Sequence, residues 1–216
     1  MRAVLLSASG IAFSVGQDLK EMNHDYQLGH ETLGSLVERE YVPLVKVLQN
    51  MPKPTVALVQ GVAVGGGMSL ALATDFRVLS PEARFIAGFV KVGLAPDTGT
   101  SYLLPRMIGH AQALRILLTG DAIGAEEAVH LGLSDAVQAT REDADAKAHE
   151  LSGKLALGPT QAYAEIRRLV SQSSEIPFDL ALSNEVAAQD RLSHTEDHRT
   201  AISAFLAKSP VHFQGR

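Results

Sequence analysis

Two glycine-containing turns each follow a predicted apolar strand and precede a predicted helix. Gly65-Gly66-Gly67 comes after the strand Thr55–Val59, and Ser14-Val15-Gly16-Gln17-Asp18 comes after a strand expected at residues 3–6. Glycine lets the backbone approach a ligand closely, and the first N–H groups of a helix have no partner within it. Taken alone, the three-glycine segment could be a structural tight turn. Together, the two turns can direct two N–H groups at one point, as an oxyanion hole requires.

A carboxylate lies in a third turn, Asp97-Thr98-Gly99, directly after Pro96. The triplet matches the turn of aspartic proteases, whose chemistry needs two such turns in an all-β frame. This chain has one, and most of its second half is predicted to be helical, so we reject the protease interpretation. The alternative from the residues alone is that Asp97 is the N-cap of the following helix.

His194 and His198 have the spacing of a metal-binding pair on one helix face. However, Thr195 is predicted to cap a helix that begins at Glu196, which leaves His194 outside that helix. The order His-Thr-Glu-Asp-His also differs from the His-Glu-x-x-His zinc motif. We expect both histidines to be surface residues and predict no metal site.

The elements that must position these turns form an α/β core at residues 1–135 and a C-terminal helical region at 136–216. Residues 24–34 are predicted to form a loop because they are polar and aperiodic. From residue 100 onward the pattern is helical except at 134–137. Strands are predicted at 3–6, 55–59, 76–79 and 84–86, and helices at 18–22, 35–50, 68–73, 111–119, 125–131, 142–157, 159–171, 177–193 and 196–208.

Composition excludes several functional classes. The chain has 216 residues, 46% of them hydrophobic, which suits a folded domain with a sizeable core. A net charge of -5 argues against a nucleic-acid binder that depends on neutralising phosphates. The absence of cysteine excludes disulfides, thiolate metal sites and cysteine nucleophiles. No apolar run reaches the roughly 18 residues of a membrane span, and the N-terminus makes a poor signal peptide, so we expect a cytoplasmic protein.

Several segments together resemble the crotonase (enoyl-CoA hydratase/isomerase) superfamily over essentially the whole chain. The matching stretches are residues 12–22, 52–67, 71–75, 103–109, 119–128 and 131–133. Within the superfamily, residues 87–97 and 204–216 are most similar to ring-1,2-epoxyphenylacetyl-CoA isomerases of phenylacetate breakdown. The resemblance implies a crotonase (ClpP-like) α/β fold of repeated ββα units, with C-terminal helices that build a homotrimer or a hexamer. It also implies an acyl-CoA thioester as substrate, with no cofactor apart from the coenzyme A of that substrate.

The resemblance assigns roles to particular residues. The backbone N–H groups of Gln17 and Gly66 would hold the thioester oxygen, and the segment from Gln17 through Asp18 and Leu19 to Lys20 would line the coenzyme A site. Gly65 and Phe89 would line the substrate pocket. Phe205 and Lys208 would reach the coenzyme A of a neighbouring subunit. Superfamily members carry further strands and a helix before the segment that matches residues 1–8. The N-terminal strands of the family are therefore missing from this sequence, and we expect either that the start was assigned too far downstream or that the protein is genuinely truncated. In the second case, part of the sheet edge and of the coenzyme A site would be missing.

Departures from the superfamily pattern separate the possible activities. Enoyl-CoA hydratases carry two glutamates, and the matching positions of this chain hold Ser69 and Phe89. Neither serine nor phenylalanine can transfer protons near neutral pH. Aryl-CoA dehalogenases combine an aspartate matching Asp97 with a histidine and a tryptophan. Phe89 replaces that tryptophan here, and no histidine occurs between residues 30 and 110.

In epoxyphenylacetyl-CoA isomerases and some enoyl isomerases, the aspartate matching Asp97 is the one acid–base group. The sequence therefore predicts an isomerase that shifts a double bond or opens an epoxide ring, with Asp97 as the acid–base. An enoyl-CoA hydratase and a non-catalytic acyl-CoA-binding protein remain the alternatives.

Overall fold

The computed structural model describes residues 1–29 and 32–216. By their internal contacts, these residues form two compact units. The core unit comprises residues 5–49 and 55–149, and the C-terminal unit comprises residues 1–4, 50–54 and 150–216. The division predicted from the sequence, at residues 135 and 136, stays a prediction.

The described strands form two three-stranded sheets. One sheet has the order β1 (Val4–Leu6), β2 (Thr55–Val59), β4 (Phe76–Leu79), and the other β3 (Val62–Val64), β5 (Arg84–Ile86), β6 (Ala122–Gly124). β2 and β4 are parallel, with Val56 opposite Phe76, and β3 and β5 are parallel, with Val62 opposite Arg84. β6 runs antiparallel to β5. Every residue of β2 is buried, as its continuous apolar run predicts.

Helices follow the strand pairs. They are α1 (Leu19–Leu28), α2 (Leu33–Leu36), a π-helical turn (Val37–Tyr41), α3 (Val42–Asn50), α4 (Gly66–Leu72), a 3-10 helix (Phe89–Val92), α5 (Thr100–Ile108), α6 (His110–Thr119), α7 (Ala125–His130), α8 (Arg141–Leu157), α9 (Thr160–Ser173), α10 (Phe178–Ser193) and α11 (Glu196–Leu206). The six helices predicted beyond residue 110 are confirmed to within a few residues. Thr195 Oγ1 accepts the N–H of His198 at 3.1 Å, which confirms the predicted cap of α11 and leaves His194 outside that helix.

The sheets and helices are organised in ββα units. β2 joins one sheet, β3 joins the other, and α4 follows; β4, β5 and then α5 repeat this order. The segment before them is similar, because Ser14 forms a parallel bridge to Ala63 between β1 and α1. This is the predicted fold class. It places the C-terminal ends of β3 and of the Ser14 segment side by side, where α4 and α1 begin.

Two predictions about local structure are wrong. α1 extends to Leu28 and α2 begins at Leu33, within the segment predicted as the loop 24–34; residues 30 and 31 lie outside the described part. Asp18 Oδ1 accepts the N–H groups of Lys20 at 2.8 Å and Glu21 at 3.3 Å, and this cap starts a helix that polar residues continue. β6 lies in a stretch predicted to be helical, because pairing with β5 outweighs its local preference.

α9 and α10 in the C-terminal unit are joined by ion pairs at Glu165. Its carboxylate accepts a hydrogen bond from Nε of Arg191 at 2.8 Å and another from a terminal nitrogen of Arg168 at 2.9 Å. The hydrogen bond from Arg191, supported by that from Arg168, lowers the pKa of Glu165 from 4.5 to about 2. A carboxylate whose pKa is lower in the folded state than in the unfolded state stabilises the folded state at pH values above its unfolded pKa.

We expect Glu165→Gln to lower the free energy of unfolding by about 1 kcal/mol near neutral pH, the scale of a well-formed surface ion pair. The stability contributed by the ionised group is complete above about pH 5 and is lost as the pH falls toward about 2. Urea unfolding across this range, with the exposed Glu185→Gln on α10 as the control, measures it. A deficit of the variant that stays the same from pH 7 to pH 3 would contradict this assignment.

Candidate active site

Hydrogen bonds and close backbone contacts bring the two glycine turns together. Val64 N–H donates to Ser14 O at 2.8 Å, and Ser14 N–H donates to Val62 O at 3.1 Å. A Cβ on Gly67 would lie 2.5 Å from Ser14 O, and one on Gly16 would lie 2.9 Å from Val64 O. Only glycine permits this approach, and Gly16 also has a φ of 80°, which disfavours other residues.

The N–H groups of Gln17 and Gly66 have no hydrogen-bond partner among the described residues. Gly65 N–H donates to Ile86 O at 2.9 Å, which fixes the turn so that α4 begins at Gly66. Within residues 1–29 and 32–216, neither the N–H of Gln17 nor that of Gly66 donates a hydrogen bond. A Cβ on Gly16 would lie 3.4 Å from Gly66 N, so the turn that carries Gln17 lies beside the start of α4. Two neighbouring N–H groups are therefore available to one acceptor.

A pocket of about 700 Å³ lies at these two turns. Its walls are mostly apolar, and they come from the turns, α1, the π-helical turn and the segment between β5 and α5. The lining residues are Val15, Gly16, Gln17, Leu19, Met22, Leu33, Val37, Tyr41, Val64, Gly65, Gly66, Gly88, Phe89, Val92, Leu94, Asp97 and Thr98. Asp97 is the one carboxylate among these described lining residues. The pocket thus combines an apolar cavity, two backbone donors and a single proton acceptor.

Asp97 is half-buried at the pocket and does not cap α5 with its side chain. The N-cap of α5 is Gly99, and Thr100 N–H donates to the backbone oxygen of Asp97 at 2.9 Å. Asp97 Oδ1 accepts a hydrogen bond from Thr98 Oγ1 at 2.6 Å. The alternative of Asp97 as a side-chain helix cap is therefore wrong, because Gly99 occupies the position where that cap would be needed.

The other predicted site residues are distributed unevenly. Leu19, Gly65 and Phe89 line the pocket with Gln17 and Gly66. Asp18 and Lys20 are exposed and lie outside the pocket lining. The side chain of Asp18 caps α1. Phe205 and Lys208 belong to the C-terminal unit, and both are exposed. The contacts of these four residues with coenzyme A stay predictions.

Tyr41 is a pocket residue that the sequence analysis missed. Its hydroxyl donates to Gln17 Oε1 at 2.9 Å, and its ring lies where a Cβ on Gly66 would be only 3.0 Å from Cε1. Burial raises the pKa of the Tyr41 hydroxyl, with the charge of Asp97 as the second cause, so the group stays protonated and can donate. In the sequence, Tyr41 is one of the regularly spaced apolar residues of a helix, a pattern that predicts a core position.

Ser69 takes no part in lining the pocket. It is fully buried in α4, where its hydroxyl donates to Gly65 O at 3.2 Å and contacts Thr100 Oγ1. Among the described residues, no cluster of three histidine or acidic side chains could hold a metal ion. Over the same residues, no helix has the length and apolar character needed to cross a membrane.

Comparison with known proteins identifies the class that this fold and site define. A solved structure of an enoyl-CoA hydratase/isomerase family protein from Mycobacterium abscessus matches with a TM-score of 0.95 and 38% identity, over 100% of this chain and 82% of that one. The fold is thus the α/β crotonase fold. A family model described as enoyl-CoA hydratase/isomerase matches residues 1–216, and the chain belongs to this family of acyl-CoA enzymes.

Two similar relatives carry names with different activities. The "1,2-epoxyphenylacetyl-CoA isomerase" of Escherichia coli (strain K12) is 37% identical over 216 residues, which are 100% of this chain and 82% of the relative. A "Probable enoyl-CoA hydratase" of Rhodobacter capsulatus is 36% identical over 217 residues, with the same coverage of both chains. Similarity establishes the family, and the site residues must decide between the activities.

Proposed function

We propose that this protein is an acyl-CoA isomerase that works through a thioester enolate. The N–H groups of Gln17 and Gly66 hold the thioester oxygen, and Asp97 moves the proton. With a 3-enoyl-CoA, Asp97 removes a proton from C2, and the electron pair of that C–H bond delocalises onto the thioester oxygen. The same carboxyl then returns the proton to C4, which leaves the double bond between C2 and C3. Opening of an epoxide ring in an aryl-CoA substrate would use the same two donors.

The observation that carries the proposal is that Asp97 is the single carboxylate among the described residues of the pocket lining. One carboxylate suffices to take a proton from one carbon and return it to another, whereas the family's hydratases use two glutamates. The two matching positions hold Ser69, whose hydroxyl is buried and already hydrogen-bonded, and Phe89, which contributes an apolar ring. Neither can activate water at neutral pH.

The remaining walls of the pocket support the same proposal. Phe89, Val92 and Leu94 line the pocket alongside Asp97, so the volume beside the carboxylate is largely apolar. In such surroundings, fixed N–H dipoles stabilise developing negative charge more strongly than water-exposed donors do. An intermediate enolate is thereby stabilised, while a water nucleophile would have few polar groups to orient it.

The name of the Rhodobacter capsulatus relative favours the hydratase alternative. A direct assay separates hydratase from isomerase activity. The protein is tested with 3-enoyl-CoA, crotonyl-CoA and epoxy-aryl-CoA thioesters, followed at the absorbance of the conjugated thioester. We expect conversion of 3-enoyl-CoA or of the epoxide, and very slow hydration of crotonyl-CoA. Rapid crotonyl-CoA hydration with no isomerisation would contradict the proposal.

We further propose that the chain assembles as a homotrimer or a hexamer through its C-terminal unit. Its helices expose more large apolar side chains than an isolated soluble unit leaves in water. These side chains are Leu157, Ile166, Val170, Phe178, Leu180, Leu182, Val186, Ile202, Phe205 and Leu206. Light scattering at micromolar concentration should give about three or six times the 23.0 kDa chain mass. A monomer mass would contradict both this assembly and a coenzyme A site completed by Phe205 and Lys208 of a neighbouring subunit.

A further inference from the structure

We propose that Tyr41 is a positioning residue that holds the Gln17 turn in place for the two-donor site. This inference rests on the proposed role of the Gln17 and Gly66 N–H groups, and it adds the side chain that sets their geometry. Tyr41 contacts both donor residues: its hydroxyl donates to Gln17 Oε1 at 2.9 Å, and its ring packs against Gly66. One rigid side chain therefore ties the two turns to each other.

The centre of the Gln17 turn gains from such an anchor because its flanks are held at Ser14 and Asp18 while its central residues make few hydrogen bonds. Gly16 has no side chain and a φ of 80°, and the neighbouring residues Val15 and Asp18 are exposed. Gly16 N–H makes only a 3.3 Å hydrogen bond, to Ser14 Oγ. The side chain of Gln17 is half-buried and points its carbonyl oxygen at Tyr41, so this hydrogen bond limits rotation of the residue that supplies the N–H.

The local backbone delivers Tyr41 to this position. Residues Val37–Tyr41 form a π-helical turn between α2 and α3, in which Val42 N–H donates to Val37 O. Such turns interrupt the regular helix hydrogen bonds and occur frequently at functional sites. Both ends of the turn, Val37 and Tyr41, line the pocket. The irregular backbone thus supports the pocket wall where Tyr41 meets Gln17.

The hydrogen-bonded pair also separates two cavities of different character. A second cavity of about 800 Å³ has Gln17 and Tyr41 in common with the apolar pocket, and no other described lining residue is shared. Its other lining residues include Glu21, Arg39 and Glu40. Loss of the hydrogen bond would let the Gln17 side chain rotate toward this charged cavity. The N–H of Gln17 would then lose its alignment with the thioester oxygen.

The test compares Tyr41→Phe, which removes the hydroxyl and keeps the ring, with Tyr26→Phe on the exposed face of α1. We expect kcat to fall about tenfold in Tyr41→Phe, the scale of one hydrogen bond, with KM and Tm close to those of Tyr26→Phe. A second readout is the absorbance of a bound conjugated aryl-CoA thioester, which shifts to longer wavelength when its carbonyl is polarised by hydrogen bonds. The shift seen with wild-type protein should shrink in Tyr41→Phe and stay complete in Tyr26→Phe.

A double-mutant cycle establishes whether Tyr41 acts through Gln17. Gln17→Ala retains the backbone N–H and removes the side-chain acceptor, so adding Tyr41→Phe to it should cause no further loss of kcat or of the absorbance shift. An unchanged shift in Tyr41→Phe, or a full tenfold loss when it is added to Gln17→Ala, would overturn the positioning role while leaving the two-donor site intact. If wild-type protein binds the thioester without any shift, the two-donor site itself is wrong, and the role of Tyr41 is lost with it.

Discussion

Substituting valine for Gly66 should reduce turnover by about 10²–10³-fold, the usual loss when one oxyanion donor is removed. The structure gives the physical reason. A Cβ on Gly66 would lie 3.0 Å from Cε1 of Tyr41. The branched side chain of valine must therefore displace that ring and enter the pocket beside the backbone N–H of its own residue. The measurement is kcat and kcat/KM on a 3-enoyl-CoA, together with Tm for each variant.

Two further variants make the Gly66 result specific. Gly66→Ala adds the Cβ alone and should give an intermediate loss, because the Tyr41 ring can yield by a few tenths of an ångström. Gly124→Val is the matched control: Gly124 also lies at the start of a helix, as the N-cap of α7. It has an ordinary φ of -73° and no atom within 4 Å of the position of an added Cβ. Full turnover by Gly66→Val, with the Tm of the wild type, would show that the Gly66 N–H does not bind the thioester oxygen.

The meeting of the two turns was predictable because its causes are local. Gly16 and Gly67 signal backbone that must accept a close neighbour, and the apolar runs before them signal buried strands. In the structure, a Cβ on either glycine would collide with the other turn, which is why those positions carry glycine. The helix caps at Asp18 and Thr195 are equally local, since a side chain there bonds to N–H groups two or three residues on.

Features set by distant contacts could not be derived in this way. β6 has three residues, and its strand conformation comes from pairing with β5, where Gly124 lies opposite Arg84, 40 positions earlier. Tyr41 follows the periodicity of a core-facing helix residue, and nothing nearby in the sequence indicates that its hydroxyl meets Gln17, 24 residues away. The same holds for Ser69, because its position in the sequence does not reveal that it is buried beside Thr100.

Asp97→Asn should lower isomerisation at least about 10²-fold, the usual scale for loss of a general base, while acyl-CoA affinity changes little. Asparagine has nearly the size of aspartate and retains an oxygen that can accept from Thr98 Oγ1. The backbone hydrogen bond from Thr100 N–H is unaffected, and Gly99 remains the cap of α5. The substitution therefore removes proton transfer and leaves the surrounding structure, so the loss should appear in kcat rather than in KM or Tm.

Asp121→Asn is the matched control, because Asp121 is exposed in the core unit and lies outside the pocket lining. It should retain wild-type turnover. The decisive comparison assays wild type, Asp97→Asn and Asp121→Asn side by side on 3-enoyl-CoA and crotonyl-CoA. An isomerase that depends on Asp97 loses the first activity only in Asp97→Asn and hydrates crotonyl-CoA slowly throughout. Rapid hydration of crotonyl-CoA by wild type that survives in Asp97→Asn would instead mean that water is activated without Asp97, and the family's hydratase activity would then have to be assigned to other residues of the pocket.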